Sequence, residues 1–210
     1  MKEIICTLRD IKKQYPKQPP TLDGISLDLY AGEVLGIRGN NGAGKSTLLN
    51  ILAGILEPDS GEWYFSDEIL AARSFVPQEL SLYESLSGEE NLKFWGLAFG
   101  MTRDRIGSRS RSLLEELGLT DKARSPVSSY SGGMKRKLHL ATALMKTPKL
   151  LLLDEPTVGS DRSSTQQIMN MLRHLNEQGT TIVLTTHQSG ELESISDRVL
   201  SLGSGKIKEV

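Results

Sequence analysis

Apolar residues along this chain follow two rhythms, and the change from one to the other marks out its parts. At the start the period is two: Ile4, Cys6 and Leu8 share one face of an expected strand, and Ile25, Leu27 and Leu29 one face of another. Between them Tyr15-Pro16-Lys17-Gln18-Pro19-Pro20 reads as a proline-rich loop with one aromatic at its mouth. Ala31-Gly32 turns the chain into Glu33-Val34-Leu35-Gly36-Ile37, expected as a buried strand, and Thr47 to Ala53 reads as a helix. Glu57 to Gly61 is an expected turn, Glu62 to Ser66 a short strand, and Ser74-Phe75-Val76-Pro77-Gln78 a strand ending at a polar side chain.

From about Leu80 to Thr147 the period becomes helical. Ser87-x-x-Glu90 is a capping box opening a helix through Asn91 to Leu97. Arg103 to Leu117 carries Ile106, Leu113, Leu114 and Leu117 at helical spacing, with Gly118 as its C-terminal cap. Gly132 to Lys146 is a further helix, stopped before Pro148. Alternation of strand and helix then resumes. Leu150-Leu151-Leu152-Leu153 is the continuous apolar run of a strand covered on both faces. Ile168, Met171, Leu172 and Leu175 define an amphipathic helix ended by Gly179, and Thr180 to Thr185 a β-branched strand. Arg198 to Leu202 is expected to pair with Lys206 to Val210 across Gly203-Ser204-Gly205. The pattern is an α/β core interrupted by a mostly helical insert.

Composition narrows the picture by exclusion. At 210 residues the chain is expected to form one domain with a full hydrophobic core. A net charge of −1 offers no bulk attraction to nucleic acid or to an anionic membrane. The one cysteine, Cys6, rules out an internal disulfide and is expected as a buried small hydrophobe in a reducing compartment. MKEIICTLRD is too short an apolar run for a signal peptide, and no stretch approaches the ~18 apolar residues of a membrane span. Any membrane contact is therefore expected through a partner. Lys135-Arg136-Lys137 is expected on a solvated helix face, Trp63-Tyr64-Phe65 in strand core, and His139 and His174 have no partners at metal-ligand spacing.

The chemistry is concentrated in GNNGAGKST: Gly39, Asn40, Asn41, Gly42, Ala43, Gly44, Lys45, Ser46 and Thr47. The stretch satisfies G-x-x-x-x-G-K-[ST], with an expected strand before it and a helix after it. Glycines let the backbone curl its N–H groups around phosphate oxygens, Lys45 brings a cation to the β/γ-phosphates, and the Ser46 hydroxyl is placed for Mg²⁺. A helix N-terminus behind the loop favours the anion further. The chain is thus expected to bind a nucleoside triphosphate. Later, LLLLDE delivers Asp154 and Glu155 from the end of a buried strand. The first carboxylate suits Mg²⁺, directly or through water, and the second suits a general base toward water. A strand-ending acidic turn is the structural alternative for that pair taken alone.

With Ser131-Gly132-Gly133 in SSYSGGMKRKL, opening a helix just before LLLLDEPT, the chain resembles the ATP-binding cassette (ABC) ATPases over its whole length. The resemblance implies a P-loop NTPase (RecA-like) core, about 1–78 and 148–210, with a small antiparallel β subdomain and an inserted helical subdomain, about 79–147. In the family the Ser131-Gly132-Gly133 segment contacts the γ-phosphate of ATP held by a second cassette. Gln78 sits where the Q-loop glutamine meets Mg²⁺, water and the transmembrane partner. Asp161 falls in the D-loop at the dimer interface, His187 at the switch histidine, and Tyr15 where an aromatic stacks on adenine. Taken singly, each has a bland reading: a polar strand end, a helix cap, a core histidine, a loop aromatic. The sequence departs from the family at Tyr130 and Met134 in the signature and at Ser160 in the D-loop, and its segment between Gly61 and Gln78 is short.

The resemblance implies an ATPase subunit of a transporter, exporter-type by the context GGMKRKL, lying on the cytoplasmic face of the membrane beside a transmembrane permease chain. ATP and Mg²⁺ are the implied cofactors, and a second ATPase subunit closes head to tail, as a homodimer or alternatively a heterodimer. Ser46, Gln78 and Asp154 hold Mg²⁺, Glu155 activates water, and Lys45 and His187 meet the γ-phosphate. No nucleic acid and no direct membrane insertion are expected. The alternatives are a soluble ABC ATPase that remodels a non-membrane target, and a non-catalytic half of a heterodimer.

Overall fold

The computed structural model describes residues 3–186 and 189–209. Strands β1 (Ile4–Gln14) and β2 (Pro20–Tyr30) pair antiparallel around the proline-containing turn. After β3 (Val34–Arg38) and helix α1 (Lys45–Leu52), β4 (Ser60–Phe65) returns to pair with the other side of β1. This three-stranded sheet has the order β2-β1-β4. Helix α2 (Asp67–Ala71), which the periodicity does not signal, leads into β5 (Arg73–Val76). The helical stretch follows: α3 (Gly88–Ala98), α4 (Arg103–Glu116), two short 3-10 turns, then α5 (Gly132–Leu144). Strand β6 (Leu150–Asp154), helix α6 (Arg162–Glu177), strand β7 (Thr181–Thr185), helix α7 (Ser189–Ile195) and strands β8 (Arg198–Gly203) and β9 (Lys206–Glu209) complete the chain. The second sheet has the order β5-β6-β7-β3-β8-β9, parallel throughout except for the terminal β8–β9 hairpin.

Two apolar clusters lie on opposite faces of this central sheet, which is why β6 and β7 are buried at every position. On β6, Leu151 and Leu153 belong to a cluster with Leu138, Ile168 and Leu172 of α5 and α6. Leu150 and Leu152 face the other cluster, with Leu48 and Leu52 of α1 and Leu8, Ile25 and Leu29 of the antiparallel sheet. A strand alternates its side chains between faces, so a strand covered on both sides shows a continuous run rather than an alternation. The first cluster extends into the helical stretch through Leu92, Ile106, Leu113 and Leu117. Local chemistry sets the helix ends. Ser87 and Glu90 form the reciprocal capping box, with the Ser87 N–H donating to Glu90 Oε2 at 2.8 Å.

Four expectations are corrected. Ile4 is exposed and Ile5 buried, because β1 shifts register against β2 between Ile4 and Cys6 and the alternation slips by one there. In Trp63-Tyr64-Phe65 only Phe65 is buried; β4 is an edge strand that pairs with β1 alone. The expected turn at 57–61 gives way at Ser60, where β4 begins. Lys135-Arg136-Lys137 is not a solvated face: Lys137 is buried, donating to Gln167 Oε1 at 2.7 Å, and Lys135 pairs with Glu84. Cys6 is fully buried as expected, and burial, with Asp28 adding to it, pushes its thiol pKa up to about 12.

Candidate active site

Strand β3, in the middle of the central sheet, delivers the chain from its C-terminal end into the glycine-rich loop, and α1 begins at Lys45. Gly44 caps that helix in the left-handed region, φ 100°, where a side chain would also meet Thr21 O at 2.9 Å. No acidic residue occupies the first turn of α1 and no side chain caps it. Its leading N–H groups are therefore left for an external anion. Lys45 is buried, and its Nζ donates to Gly39 O at 2.9 Å and Asn40 O at 3.3 Å while lying 3.8 Å from Glu155 Oε1. Ala43 N–H closes the loop on Asn40 O at 3.1 Å.

The two carboxylates arrive from β6 and are held by β7. Asp154 lies opposite Thr185 in the ladder, and the Thr185 hydroxyl donates to Asp154 Oδ1 at 2.7 Å. The same hydroxyl accepts from the Glu155 N–H at 3.0 Å, and that N–H also reaches Thr185 O at 3.2 Å. Glu155 itself sits at φ 50°, where the strand turns sharply away from the sheet. Gln78, just past β5, donates from Nε2 to Glu155 Oε2 at 3.4 Å.

Nine of the predicted residues line one cavity of about 500 Å³: Tyr15, Asn41, Gly42, Gly44, Lys45, Ser46, Thr47, Gln78 and Glu155. Tyr15 Oη lies 3.4 Å from Thr47 Oγ1. Gly39, Asn40 and Ala43 shape the loop behind it, and Asp154 lies beneath Glu155 on β6. A larger cavity, about 760 Å³ between α3 and α4, has no phosphate loop, so the chemistry and not the volume selects the site. Among the described residues no cluster of three or more His, Cys, Asp or Glu side chains is placed to hold a metal ion. Ser46, Gln78 and Asp154 instead offer oxygens of mixed type, a set that suits Mg²⁺ when phosphate oxygens complete the shell.

The remaining predicted residues gather elsewhere. Ser131 caps α5, its Oγ accepting from the Met134 N–H at 3.2 Å. Gly133 packs so closely on α6 that a Cβ there would fall 2.3 Å from Ser164 Oγ, and one on Gly132 would lie 3.2 Å from Gly159 O. Asp161 caps α6 through Ser164 N–H and Oγ, both at 2.9 Å, and the Ser164 N–H bond leads in holding its carboxyl below the ordinary range. None of Ser131, Gly132, Gly133 and Asp161 lines the cavity of the glycine-rich loop. His187 lies outside the described residues.

Four contributors carry no motif. Thr185 reads from the sequence only as the end of a strand; its signal is a threonine closing an apolar run beside a strand that ends in Asp-Glu. Thr21 and Gln18 also line the cavity. Arg136, on α5, donates to the backbone carbonyls of Gln78 and Val158.

The ABC transporter family model matches residues 22–158. The linearmycin resistance ATP-binding protein LnrL of Bacillus subtilis is 39% identical over 206 residues, covering 94% of this chain and 66% of that protein. The Nod factor export ATP-binding protein I of Rhizobium sp. (strain N33) is 39% identical over 214 residues, covering 98% and 70%. A methionine import ATP-binding protein, MetN of Mesorhizobium japonicum, is 38% identical over 218 residues, covering 98% and 60%. The chain thus spans about two thirds of the length of the curated relatives it matches. Among solved structures, a dimeric ATP-binding cassette in a post-hydrolysis state, bound to ADP and Pi, superposes with a TM-score of 0.88 at 27% identity, covering 98% of each chain.

Proposed function

This chain belongs to the ABC transporter family, as an ATP-binding cassette, and from that premise we propose that it hydrolyses ATP to drive export through a separate membrane-spanning chain. The observation that carries the reading is the convergence of Lys45, Gln78 and Glu155 on the cavity of the glycine-rich loop. Gly39 to Thr47 wrap the phosphates, Lys45 neutralises charge at the β/γ-phosphates, and Tyr15 stacks on the adenine. Glu155, held by Thr185 below and Gln78 above, takes the proton of the attacking water. With Gln78 Nε2 turned to Glu155, its amide oxygen would serve Mg²⁺ together with Ser46 Oγ and Asp154. Mg²⁺ held by Ser46, Gln78 and Asp154 would supply positive charge against the negative charge that develops in phosphoryl transfer. His187 meets the γ-phosphate from the chain just after β7.

Ser131, Gly132 and Gly133 lie outside their own chain's cavity, which supports a role on a second copy's ATP. The start of α5, where Ser131 and Gly132 are exposed, offers N–H donors to a γ-phosphate. Two cassettes then close head to tail, with Asp161 at the shared interface, as a homodimer. A permease chain docks near Gln78 and the helical stretch, on the cytoplasmic face of the membrane. Among the described residues, no helix is long and apolar enough to cross a membrane. Export is supported by GGMKRKL and by the Nod factor export relative, and the import protein at 38% identity gives direction its own test. Vesicles holding this chain with its co-purified membrane partner provide it. Cargo leaving the nucleotide-accessible side on ATP addition supports export, and cargo entering that side refutes it.

A further inference from the structure

The tribasic run Lys135-Arg136-Lys137 folds inward at the first turns of α5, and each side chain grips a different part of the chain. Lys135 pairs with Glu84, beyond the Gln78 segment, and Lys137 Nζ donates to Gln167 Oε1 of α6 at 2.7 Å. Arg136 lies between them. Its Nη1 donates to the backbone oxygen of Gln78, and its Nε to the backbone oxygen of Val158 at 3.2 Å. Those two carbonyls belong to the two segments that flank the reactive carboxylate. Gln78 Nε2 donates to Glu155 Oε2 at 3.4 Å, and the Val158 N–H donates to Glu155 O at 3.2 Å. The contacts close a ring: Arg136 to Gln78, Gln78 to Glu155, Glu155 to Val158, Val158 back to Arg136. Only a guanidinium fork supplies two rigidly related N–H donors and a fixed positive charge in one side chain. Partial burial draws the Arg136 pKa down and the Glu155 charge opposes that, in keeping with a cation held near the carboxylate.

We propose that Arg136 is a positioning residue that couples the helix opened by Ser131-Gly132-Gly133 to Gln78 and Glu155 of its own chain. Seating that helix on a partner's nucleotide then fixes the geometry of the Glu155 carboxylate in the other site of the dimer. This rests on the proposed head-to-tail ATPase, in which α5 is the element that touches the partner's ATP. The two ATP sites communicate through backbone carbonyls, which explains why the acceptors carry no mark in the sequence.

Two variants test it in the full chain: Arg136→Met, which keeps length but loses donors and charge, and Arg136→Lys, which keeps the charge. Hydrogen exchange without nucleotide is measured first, and then ATP binding, KM and kcat. The inference expects exchange at residues 78–80 and 157–160 to rise in Arg136→Met, with the interior of α5 unchanged. It expects kcat to fall about 10- to 100-fold, the scale of a small misplacement of a reacting group, with KM held and part of kcat recovered in Arg136→Lys. Unchanged exchange at either segment overturns it. So does an unchanged kcat, or a loss of ATP binding in step with kcat. A wild-type chain that neither hydrolyses ATP nor dimerises with it overturns the ATPase reading itself, a separate outcome that takes this inference with it.

Discussion

Replacing Thr185 by valine removes one hydroxyl and almost no volume from a position with 0% exposure. That hydroxyl donates to Asp154 Oδ1 at 2.7 Å and accepts from the Glu155 N–H at 3.0 Å. A hydrogen bond to a charged group contributes about 1.5–3 kcal/mol. The Glu155 N–H keeps its second acceptor, Thr185 O at 3.2 Å, so its loss adds little. The expected destabilisation is therefore about 2–3 kcal/mol, or a fall in Tm of about 4–12 °C for a chain of this size. Because the same bond sets where Asp154 and Glu155 stand, kcat is expected to fall about 10- to 100-fold while ATP affinity stays within about twofold. Thermal melting and steady-state ATPase assays read both effects. Thr185→Ser keeps the oxygen and loses one buried methyl, at about 1 kcal/mol, and should retain most of kcat. An unmoved Tm in Thr185→Val would refute the bond's energetic role. A normal kcat in a destabilised variant would refute its role in placing the carboxylates.

Three further outcomes are expected. Glu155→Gln keeps shape but cannot take a proton, so turnover should drop about 10²- to 10⁴-fold with ATP binding intact, measured by phosphate release beside a binding titration. Gly133→Ala puts a methyl 2.3 Å from Ser164 Oγ, so α5 and α6 must separate; a loss of about 1–3 kcal/mol by denaturant melting is expected, and a neutral result contradicts the packing. His139 is buried, its Nε2 accepting from the Ser81 N–H at 3.3 Å, and burial, with Arg136 adding to it, brings its pKa down to about 4. The unfolded chain therefore binds this proton first, so stability is full above about pH 6.5 and falls by about 3 kcal/mol toward pH 4. The pH profile of Tm should flatten over that window in His139→Gln, and an unchanged slope counts against the buried neutral ring.

Much of this architecture is legible because local and global signals agree. Leu150 to Leu153 announces a strand covered on both sides, Ser87 and Glu90 announce a helix start, and Gly39 to Thr47 announces a phosphate loop. Legibility fails where the answer depends on a neighbour. The register shift after Ile4 is set by pairing with β2, and the exposure of Trp63 and Tyr64 by the place of β4 at the sheet edge, with no strand beyond it among the described residues. The inward turn of Lys135-Arg136-Lys137 depends on Glu84, Gln167 and two backbone carbonyls far away in sequence. Thr185 acquires its role only when β6 and β7 lie side by side. Within the site, a motif marks the residues of the glycine-rich loop, while nothing local marks those that act through the backbone or across a ladder.

The central claim is a catalytic site built from two copies of this chain, and mixing two disabled copies tests it most directly. Lys45→Ala disables the glycine-rich loop of one copy. Ser131→Asp keeps the oxygen that caps α5 but sets a negative charge against the partner's γ-phosphate. Each variant alone is expected to be inactive in an ATPase assay. A mixed pair contains one intact site, made from Lys45 of the Ser131→Asp copy and Ser131 of the Lys45→Ala copy, so activity should appear on mixing. A silent mixture of folded variants, or a Ser131→Asp chain that works normally alone, would contradict a site shared between copies.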